Sequence, residues 1–514
     1  MPWLQDIVRA AWSRRETSWR FPLLGAAIFT AIQVVGHLHH EMWRDELHCW
    51  AVARNASGLW DLLTGERRYD GHPFLWYYLL HLASRVSRSY LTLPVVGTAL
   101  VVLAATLWLR FAPVPRILRA SLLGSYYLVY EYGVLSRSYT LGVVLIFIFC
   151  SLYDPYRKKL PLLAGVLALL SATSLYGTLV ALALGTFLLS AGPRLETAPH
   201  GLDDRRQLRI PLAWIGAAGL LLGGVAITLL TTWPPPDSYY VPGPISAVTS
   251  GSFRNLLAQY WRGMFPFAGR ADWIWTRNTA LFGQSVAGAA ALPWLGAIWF
   301  VLCLVALRRC PPLVIAYGLG VLLMMAGQHT IYPGGWRHLG HYFILFVACV
   351  WLYAKQTRCR SPDRMLHALF AANLVVLVWT GVSAVRTDYR LVFSGAMDAA
   401  RFIRDHELQD RPIVGNPDPV MPVAIVLDRP FFIPITGETA DAIVYHSRRT
   451  APSGADIVEH ARRLARASQG RALLVLNYDF GGGETPGVAL TRIYTGGPTI
   501  VDDERFWIYD VRAR

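Results

Sequence analysis

The chain has 514 residues, of which 54% are hydrophobic, and its mean hydropathy is +0.35. A soluble globular core does not need so large an apolar excess, so the composition excludes an ordinary soluble protein and favours one that contacts lipid. The formal charge of +15 comes mostly from arginines and lysines in short segments between apolar runs, which argues against a nucleic-acid-binding face and predicts no nucleic-acid partner.

Apolar segments recur between Phe21 and Val385, separated by short basic or Gly/Pro-rich stretches. A helix needs about 20 apolar residues to cross a hydrocarbon layer of about 30 Å. The pattern predicts about eleven spans, at roughly 21–39, 90–109, 117–132, 138–153, 160–174, 176–190, 210–231, 286–307, 312–330, 340–354 and 365–385. The apolar segment Pro73–Val86 is shorter, and we expect it to lie along the membrane interface.

Basic residues fix the predicted orientation. Four arginines precede the first span, which predicts a cytoplasmic N-terminus by the positive-inside rule. Eleven spans then place the first loop, 40–90, the loop 232–285 and the C-terminus outside. All strongly basic short loops fall inside, at Arg110/Arg116/Arg119, Arg157/Lys158/Lys159, Arg194/Arg205/Arg206/Arg209, Arg308/Arg309 and Lys355/Arg358/Arg360/Arg364.

The chain changes character after the last predicted span. Apolar runs typical of strands at Pro412–Gly415, Ala472–Leu476 and Phe506–Tyr509 accompany a predicted helix at Asp456–Ala467. The sequence therefore predicts two parts: a mainly α, polytopic transmembrane bundle at 1–385, and a soluble extracytoplasmic α/β domain at 386–514.

The most informative motif, Arg44-Asp45-Glu46-Leu47-His48-Cys49-Trp50, follows the first predicted span. Adjacent carboxylates at the outer face suit binding of a divalent cation or removal of a proton from a hydroxyl nucleophile. They also suit the first turn of a helix, where Asp45 would cap the backbone and Glu46 would favour the positive end of the helix dipole. The two roles are compatible.

Other candidate residues stand where predicted spans begin or end. His72, in a Gly-His-Pro turn, suits phosphate or metal binding or a helix cap. Arg137 and Arg337 lie at a depth where an unpaired charge is costly, so they are candidates for holding a lipid-linked phosphate, with interface anchoring as the alternative. His338 and His341 share a helical face, but no cysteine or further close histidine completes a zinc site, so hydrogen-bonding roles are favoured.

This arrangement resembles the polytopic glycosyltransferases of the GT-C superfamily, especially bacterial relatives of the protein O-mannosyltransferases and of the lipid A aminoarabinose transferases. The resemblance covers about residues 20–355 and rests on RDELHCWAVAR at 44–54 and DGHPFLWYYLLHL at 70–82. Arg137-Ser138-Tyr139 is similar to the family's Arg-x-Tyr signature. The chain departs from the family in two places. His72-Pro73 replaces a common Pro-Pro, and the acidic residue that some relatives carry close to the second motif is absent, Glu131 being several residues upstream.

The resemblance implies a GT-C fold in a bacterial inner membrane, with the active site facing the periplasm. It implies transfer of a sugar from a polyprenyl-phosphate donor to a hydroxyl of a glycolipid, glycan or protein, with inversion at the anomeric carbon. Asp45 would be the catalytic base or the ligand of a divalent cation such as Mg²⁺ or Mn²⁺, with Glu46 beside it. The residues expected to bind substrate or phosphate are His72, Arg137, Tyr139, Arg337, His338 and His341.

Three other functions compete with this prediction. The weakest is a receptor-like membrane anchor for the C-terminal domain, which would not require about eleven spans. A metal-independent ligase or polymerase of lipid-linked glycans would rely on arginine and histidine rather than on Asp45. A transporter of lipid-linked substrates would show charged residues in the middle of spans or two similar halves, and neither feature is evident in the sequence.

Overall fold

The structure is a computed structural model that describes residues 13, 17–156, 159–190, 204–240, 249–267, 280–283, 285–357, 364–434, 437–447, 453–481, 483–485 and 487–513. Within these ranges the side chains of 204–211, 250 and 483–485 are not described. The predicted basic loops at 157–158, 194 and 358–360 lie outside the described residues, as do parts of the predicted outer loop 232–285.

Helices dominate the described chain up to residue 390. They are α1 (Arg20–His39), α2 (Arg44–Asn55), α3 (Leu59–Thr64), α4 (Phe74–Val86), α5 (Thr92–Phe111), α6 (Arg116–Leu123), α7 (Ser138–Leu152), α8 (Leu160–Ser171), α9 (Leu175–Ser190), α10 (Asp204–Thr232), α11 (Ser250–Met264), α12 (Val286–Leu307), α13 (Pro311–Thr330), α14 (Trp336–Gln356) and α15 (Arg364–Arg390).

Among the described residues, seven helices are long and apolar enough to cross a membrane: α1, α5, α10, α12, α13, α14 and α15. They agree with a mainly helical, polytopic bundle. The apolar helices α7, α8 and α9 have only 15, 12 and 16 residues, fewer than the roughly 20 that a perpendicular span needs. The count of eleven spans therefore stays a prediction.

The segment 117–132, predicted as one span, is not a continuous α-helix. Helix α6 ends at Leu123, and a π-helical turn follows at Tyr127–Glu131. The Ser125 hydroxyl donates to the Leu122 carbonyl at 2.6 Å, which competes with regular helix hydrogen bonds. The Gly124 carbonyl also lies against Gly381 of α15, so closely that a Cβ on Gly381 would be 2.5 Å from that oxygen.

Asp45 and two basic residues, Lys355 and Arg110, lie at opposite ends of the bundle. Asp45 meets Arg137, which directly precedes α7, at one end. At the other end of α7, the Lys355 ammonium of α14 donates to three backbone carbonyls at 2.7 to 2.9 Å. The Arg110 guanidinium, at the C-terminus of α5, lies over the Trp19 ring at the start of α1, with 5.0 Å to the ring centroid. Both basic residues thus lie opposite the acidic motif, and which end is cytoplasmic stays a prediction.

The first predicted outer loop folds into α2, α3, a 3₁₀ turn at Glu66–Asp70, and α4. Pro73 precedes α4 with φ −64° in an extended conformation, which suits the start of a helix. The predicted helix at Pro73–Val86 is therefore confirmed as a helix, whereas its position along a membrane interface stays a prediction.

The C-terminal region forms a mixed α/β unit. Its helices are α16 (Ala396–Asp405), α17 (Pro417–Leu427) and α18 (Gly454–Ala467). Its strands are β1 (Ile413–Gly415), β2 (Phe431–Ile433), β3 (Glu438–Ala440), β4 (Arg471–Leu476), β5 (Gly483–Thr485), β6 (Val488–Thr495) and β7 (Trp507–Ala513). The strand order is β3-β2-β1-β4-β7-β6-β5, with β1 parallel to β2 and β4 and the other pairs antiparallel. β1, β4, β7 and α18 begin close to their predicted starts.

This unit packs directly on the acidic motif. Leu47 and Trp50 of α2 share one buried apolar cluster with Met421 of α17. Arg54, at the end of α2, forms ion pairs with Asp428 at 2.7 Å and Asp441 at 2.8 Å. The α/β unit therefore packs directly on α2 and is joined to its C-terminal end by ion pairs.

Candidate active site

Asp45 lies in the first turn of α2 and meets two arginines from distant parts of the chain. Its carboxylate oxygen is 2.9 Å from Nη2 of Arg337 and 3.6 Å from Nη2 of Arg137. Arg137 directly precedes α7 and Arg337 is the second residue of α14, so the N-terminal ends of two bundle helices deliver the two cations. We call Asp45, Arg137 and Arg337 the arginine cluster.

Further contacts orient both guanidinium groups. Arg137 donates to the backbone carbonyl of Asp45 and, at 3.5 Å, to the sulfur of Cys49. The Arg337 guanidinium lies over the Trp43 ring, 5.2 Å from its centroid. These contacts limit the freedom of the arginines and keep both beside the start of α2.

The electrostatics of the cluster favour anions. Burial alone would raise the pKa of Asp45, but the positive charges of Arg337 and Arg137 outweigh burial and lower this pKa to about 2. Asp45 is therefore ionised at neutral pH. Two guanidinium groups flank one carboxylate, and guanidinium groups also suit the binding of a phosphate oxygen.

Tyr139 and His338 lie next to the arginine cluster. The backbone N–H of Gly335 donates to Nδ1 of His338 at 2.9 Å, so a neutral His338 ring carries its proton on Nε2. That nitrogen is 3.0 Å from the Tyr139 hydroxyl oxygen and donates to it. The tyrosine O–H is thereby oriented to donate to a third group.

His341 supports the turn that carries Arg337. Its Nδ1 lies 3.0 Å from the His338 carbonyl, which only accepts, so this nitrogen is the donor. It also lies 3.3 Å from the Tyr132 hydroxyl, which in turn donates to the Arg337 carbonyl at 2.7 Å. The two histidines thus have separate hydrogen-bond partners rather than a shared metal-binding geometry.

His72 presents one ring nitrogen as an acceptor. Its Nδ1 donates to the Asp70 carbonyl at 2.8 Å, which leaves the lone pair on Nε2. Burial lowers the pKa of His72, the charge of Arg137 lowers it further, and it falls to about 4. The ring is therefore neutral at physiological pH and can accept a proton or a hydrogen bond.

Glu46, the second carboxylate of the motif, is engaged differently from Asp45. Its side chain is fully buried, and Oε1 accepts the backbone N–H of Ser136 at 2.6 Å. Oε2 lies 3.0 Å from Nε2 of His40 and accepts the N–H of Trp43 at 3.4 Å. These contacts tie α2 to the end of α1 and to the segment before α7, beside the arginine cluster rather than within it.

Two further groups were not recognised from the sequence. His40 also bonds Asp388, near the end of α15, at 3.1 Å, and Asp70 accepts from His48 at 3.0 Å and from Tyr77 at 2.9 Å. A signal was present for Asp388, because a carboxylate near the end of an apolar span needs a partner. The signal for His48 was its position one helical turn after Asp45.

The residues around Asp45 do not fit a divalent cation. Mg²⁺ and Mn²⁺ prefer several oxygen ligands, whereas Asp45 faces two guanidinium groups that would repel such an ion. In the described part of the chain, no group of three His, Cys, Asp or Glu side chains converges on a possible metal position.

Comparisons with protein-family models, with curated proteins and with solved structures found no match for this chain. Membership of the GT-C superfamily therefore stays a prediction from the motifs at residues 44–54 and 70–82.

Proposed function

We propose that the protein is a membrane glycosyltransferase that moves a sugar from a polyprenyl-phosphate donor to an acceptor hydroxyl. One observation carries the proposal: the Asp45 carboxylate lies between the guanidinium groups of Arg337 and Arg137, at 2.9 and 3.6 Å. Two guanidinium groups, which suit phosphate binding, and a carboxylate, which suits proton removal, thus lie together.

The reaction needs both groups. The acceptor oxygen attacks the anomeric carbon from the face opposite the phosphate and forms the new C–O bond. The old C–O bond breaks, its electron pair stays on the polyprenyl phosphate, and the acceptor proton passes to Asp45. The leaving phosphate gains negative charge in the transition state, which Arg137 and Arg337 stabilise.

The ion pairs suggest an order of events. With its pKa lowered to about 2, Asp45 is a weak base while the arginines hold it. A donor phosphate would accept hydrogen bonds from the same guanidinium groups and loosen their grip on the carboxylate. Donor binding would therefore raise the basicity of Asp45 before the acceptor reacts.

Neighbouring residues have roles consistent with this chemistry. The Tyr139 hydroxyl, which His338 orients, donates to the phosphate, and His341 supports the backbone of Arg337. Nε2 of the neutral His72 accepts a hydrogen bond from the substrate. The apolar bundle suits a polyprenyl chain and a bilayer partner, and we place the site at the periplasmic face of a bacterial inner membrane, with a glycolipid, glycan or protein as acceptor.

A metal-independent ligase or polymerase of lipid-linked glycans is the second candidate. Its supporting observation is that Asp45 is already neutralised by two arginines, while His72 offers an acceptor nitrogen. In such an enzyme Asp45 would only position the arginines, and His72 would take the proton.

The test is transfer of radiolabelled sugar from a panel of polyprenyl-phosphate donors into membrane extracts. Purified wild type is compared with Asp45→Asn and with the control Asp398→Asn, which changes a partly exposed carboxylate paired with Arg401 on α16. Transfer by wild type and control but not by Asp45→Asn supports the transferase. Equal transfer by all three favours the ligase, and no transfer by wild type contradicts both.

A further inference from the structure

A second charged cluster lies beside the arginine cluster, at the junction of α1, α2 and α15. His40 stands between two carboxylates, with Nε2 at 3.0 Å from Glu46 and Nδ1 at 3.1 Å from Asp388. All three side chains are buried, with at most 5% exposure. We call His40, Glu46 and Asp388 the buried clamp.

Both ring nitrogens of His40 act as donors. Each faces a carboxylate, and a histidine donates from both nitrogens only as the imidazolium. Burial would lower the pKa of His40, but the charges of Asp388 and Glu46 outweigh burial and raise it to about 10. The imidazolium therefore persists at neutral pH and connects α15 to α2.

The buried clamp is linked to the arginine cluster through two pairs of sequence neighbours. Glu46 follows Asp45, and Ser136 precedes Arg137. The 2.6 Å bond from the Ser136 N–H to Glu46 therefore joins the backbone segments that carry Asp45 and Arg137. Ser136 also packs closely against α5. A Cβ added to Gly97 of α5 would lie 2.6 Å from the Ser136 Oγ.

We propose that His40 is a positioning residue of the candidate active site: it holds Glu46 on the Ser136 N–H and thereby sets the separation between Asp45 and Arg137. This inference rests on the proposed function. His40 touches neither the arginine cluster nor a reacting group, and it acts only through Glu46. Its loss shifts Asp45 relative to Arg137 without removing either side chain.

The experiment compares His40→Gln with His40→Lys and His39→Gln in the purified full chain. Glutamine removes the charge. Lysine keeps a charge that can donate to both carboxylates. His39→Gln is the matched control, because His39 is the preceding residue and is exposed; its Nδ1 lies 2.9 Å from the Val35 carbonyl and its ring packs on the Tyr389 ring. Two properties are measured: hydrogen–deuterium exchange of the backbone amide of Ser136, and kcat and KM for sugar transfer.

We expect His40→Gln to increase exchange at Ser136 and to lower kcat by about a hundredfold, since a misplacement of about 1 Å can cost that much. The donor KM should change much less, because both arginines remain. His40→Lys should restore most of kcat and of the protection at Ser136, and His39→Gln should match wild type. A merely structural role would lower thermal stability without this rescue by lysine.

Several results would overturn the inference. They are unchanged exchange at Ser136 in His40→Gln, unchanged kcat, or no rescue by a folded His40→Lys. If His40→Gln does not fold, Asp388→Asn decides, because it weakens the hold on His40 while keeping a hydrogen-bond acceptor; wild-type kcat there contradicts the inference. Absence of transfer by wild type contradicts the proposed function instead, and exchange at Ser136 still reports on the clamp in that case.

Discussion

Asp45 and Glu46 are adjacent in sequence, yet they belong to clusters with opposite properties. The Asp45 side chain is 25% exposed and pairs with two arginines, whereas Glu46 is fully buried and bonds a histidine and the backbone N–H of Ser136. Consecutive residues of a helix point about 100° apart, so one helical turn directs one carboxylate to the site and the other to the interior. In this acidic pair, Asp45 is thus the candidate for the chemistry, and Glu46 stabilises the structure around it.

This difference between the two carboxylates predicts that Asp45→Asn greatly lowers activity while the protein stays folded. Loss of a general base typically costs 10²- to 10⁴-fold, and we expect a fall in kcat of about that size. The asparagine oxygen can still accept from Arg337, so the thermal unfolding midpoint should stay close to that of wild type. Label transfer and a thermal melt of the same preparation check both parts, with Asp398→Asn as control. Full transfer by a folded Asp45→Asn would remove Asp45 from the chemistry.

Glu46→Gln, unlike Asp45→Asn, should destabilise the folded protein. Removing one partner of a buried ionic group leaves a charge poorly compensated, which typically costs about 3–5 kcal/mol in the free energy of unfolding. His40 and the Ser136 N–H are the groups affected. Denaturant or thermal unfolding in detergent measures the loss, and Glu459→Gln, on the surface of α18, serves as control. If Glu46→Gln were as stable as wild type, the structural role assigned to Glu46 would be wrong.

Within the arginine cluster, shape should matter as well as charge. Arg337→Lys keeps the charge but loses the planar fork that binds carboxylate and phosphate, and it also loses stacking on Trp43. We expect transfer to fall about tenfold to a hundredfold, with the larger part in kcat. The control is Arg401→Lys, a largely exposed arginine of α16. Equal activity of the two lysine variants would argue against a phosphate held by Arg337.

The buried clamp predicts a pH dependence of stability. The pKa of His40 is raised to about 10 in the folded protein, above an ordinary value of about 6.5. A group with a raised pKa stabilises fully below its unfolded value, and this contribution is lost as pH rises through the folded value. The unfolding midpoint of wild type should therefore fall between pH 7 and 10 more steeply than that of His40→Gln. If the unfolding midpoints of wild type and His40→Gln changed with pH in parallel, His40 would not be charged in the folded protein.

The sequence predicted those helices and strands that depend on local composition. Apolar length located the helices, and strand-type runs located β1, β4 and β7. Periodicity could not show that 94% of the most apolar 18-residue stretch of α14 is buried within the protein. It also missed the break after Leu123, because the Ser125 hydroxyl bond and the close approach of Gly381 become visible only in three dimensions.

The residues of the candidate site could be predicted from the sequence, but the ion pairs and hydrogen bonds between them could not. Arg137 and Arg337 stood out because each is a charge at the end of an apolar segment, and such a charge needs a partner. That Asp45 is this partner depends on how α2, α7 and α14 meet. The separate role of Glu46 depends on the rotational phase of α2, which is fixed by contacts with residues 40 and 136.

The smallest expected effect concerns divalent cations. Adding a chelator such as EDTA should change the transfer rate less than about twofold, because the cations that stabilise the leaving phosphate are supplied by Arg137 and Arg337. A metal ion bound to Asp45 would have to displace both guanidinium groups, at 2.9 and 3.6 Å, and then bind beside their charge. Transfer measured with EDTA, and again after Mg²⁺ or Mn²⁺ is restored, tests this. Loss with EDTA and recovery with metal would mean that the arginines leave Asp45 during turnover and that the carboxylate then acts as a metal ligand.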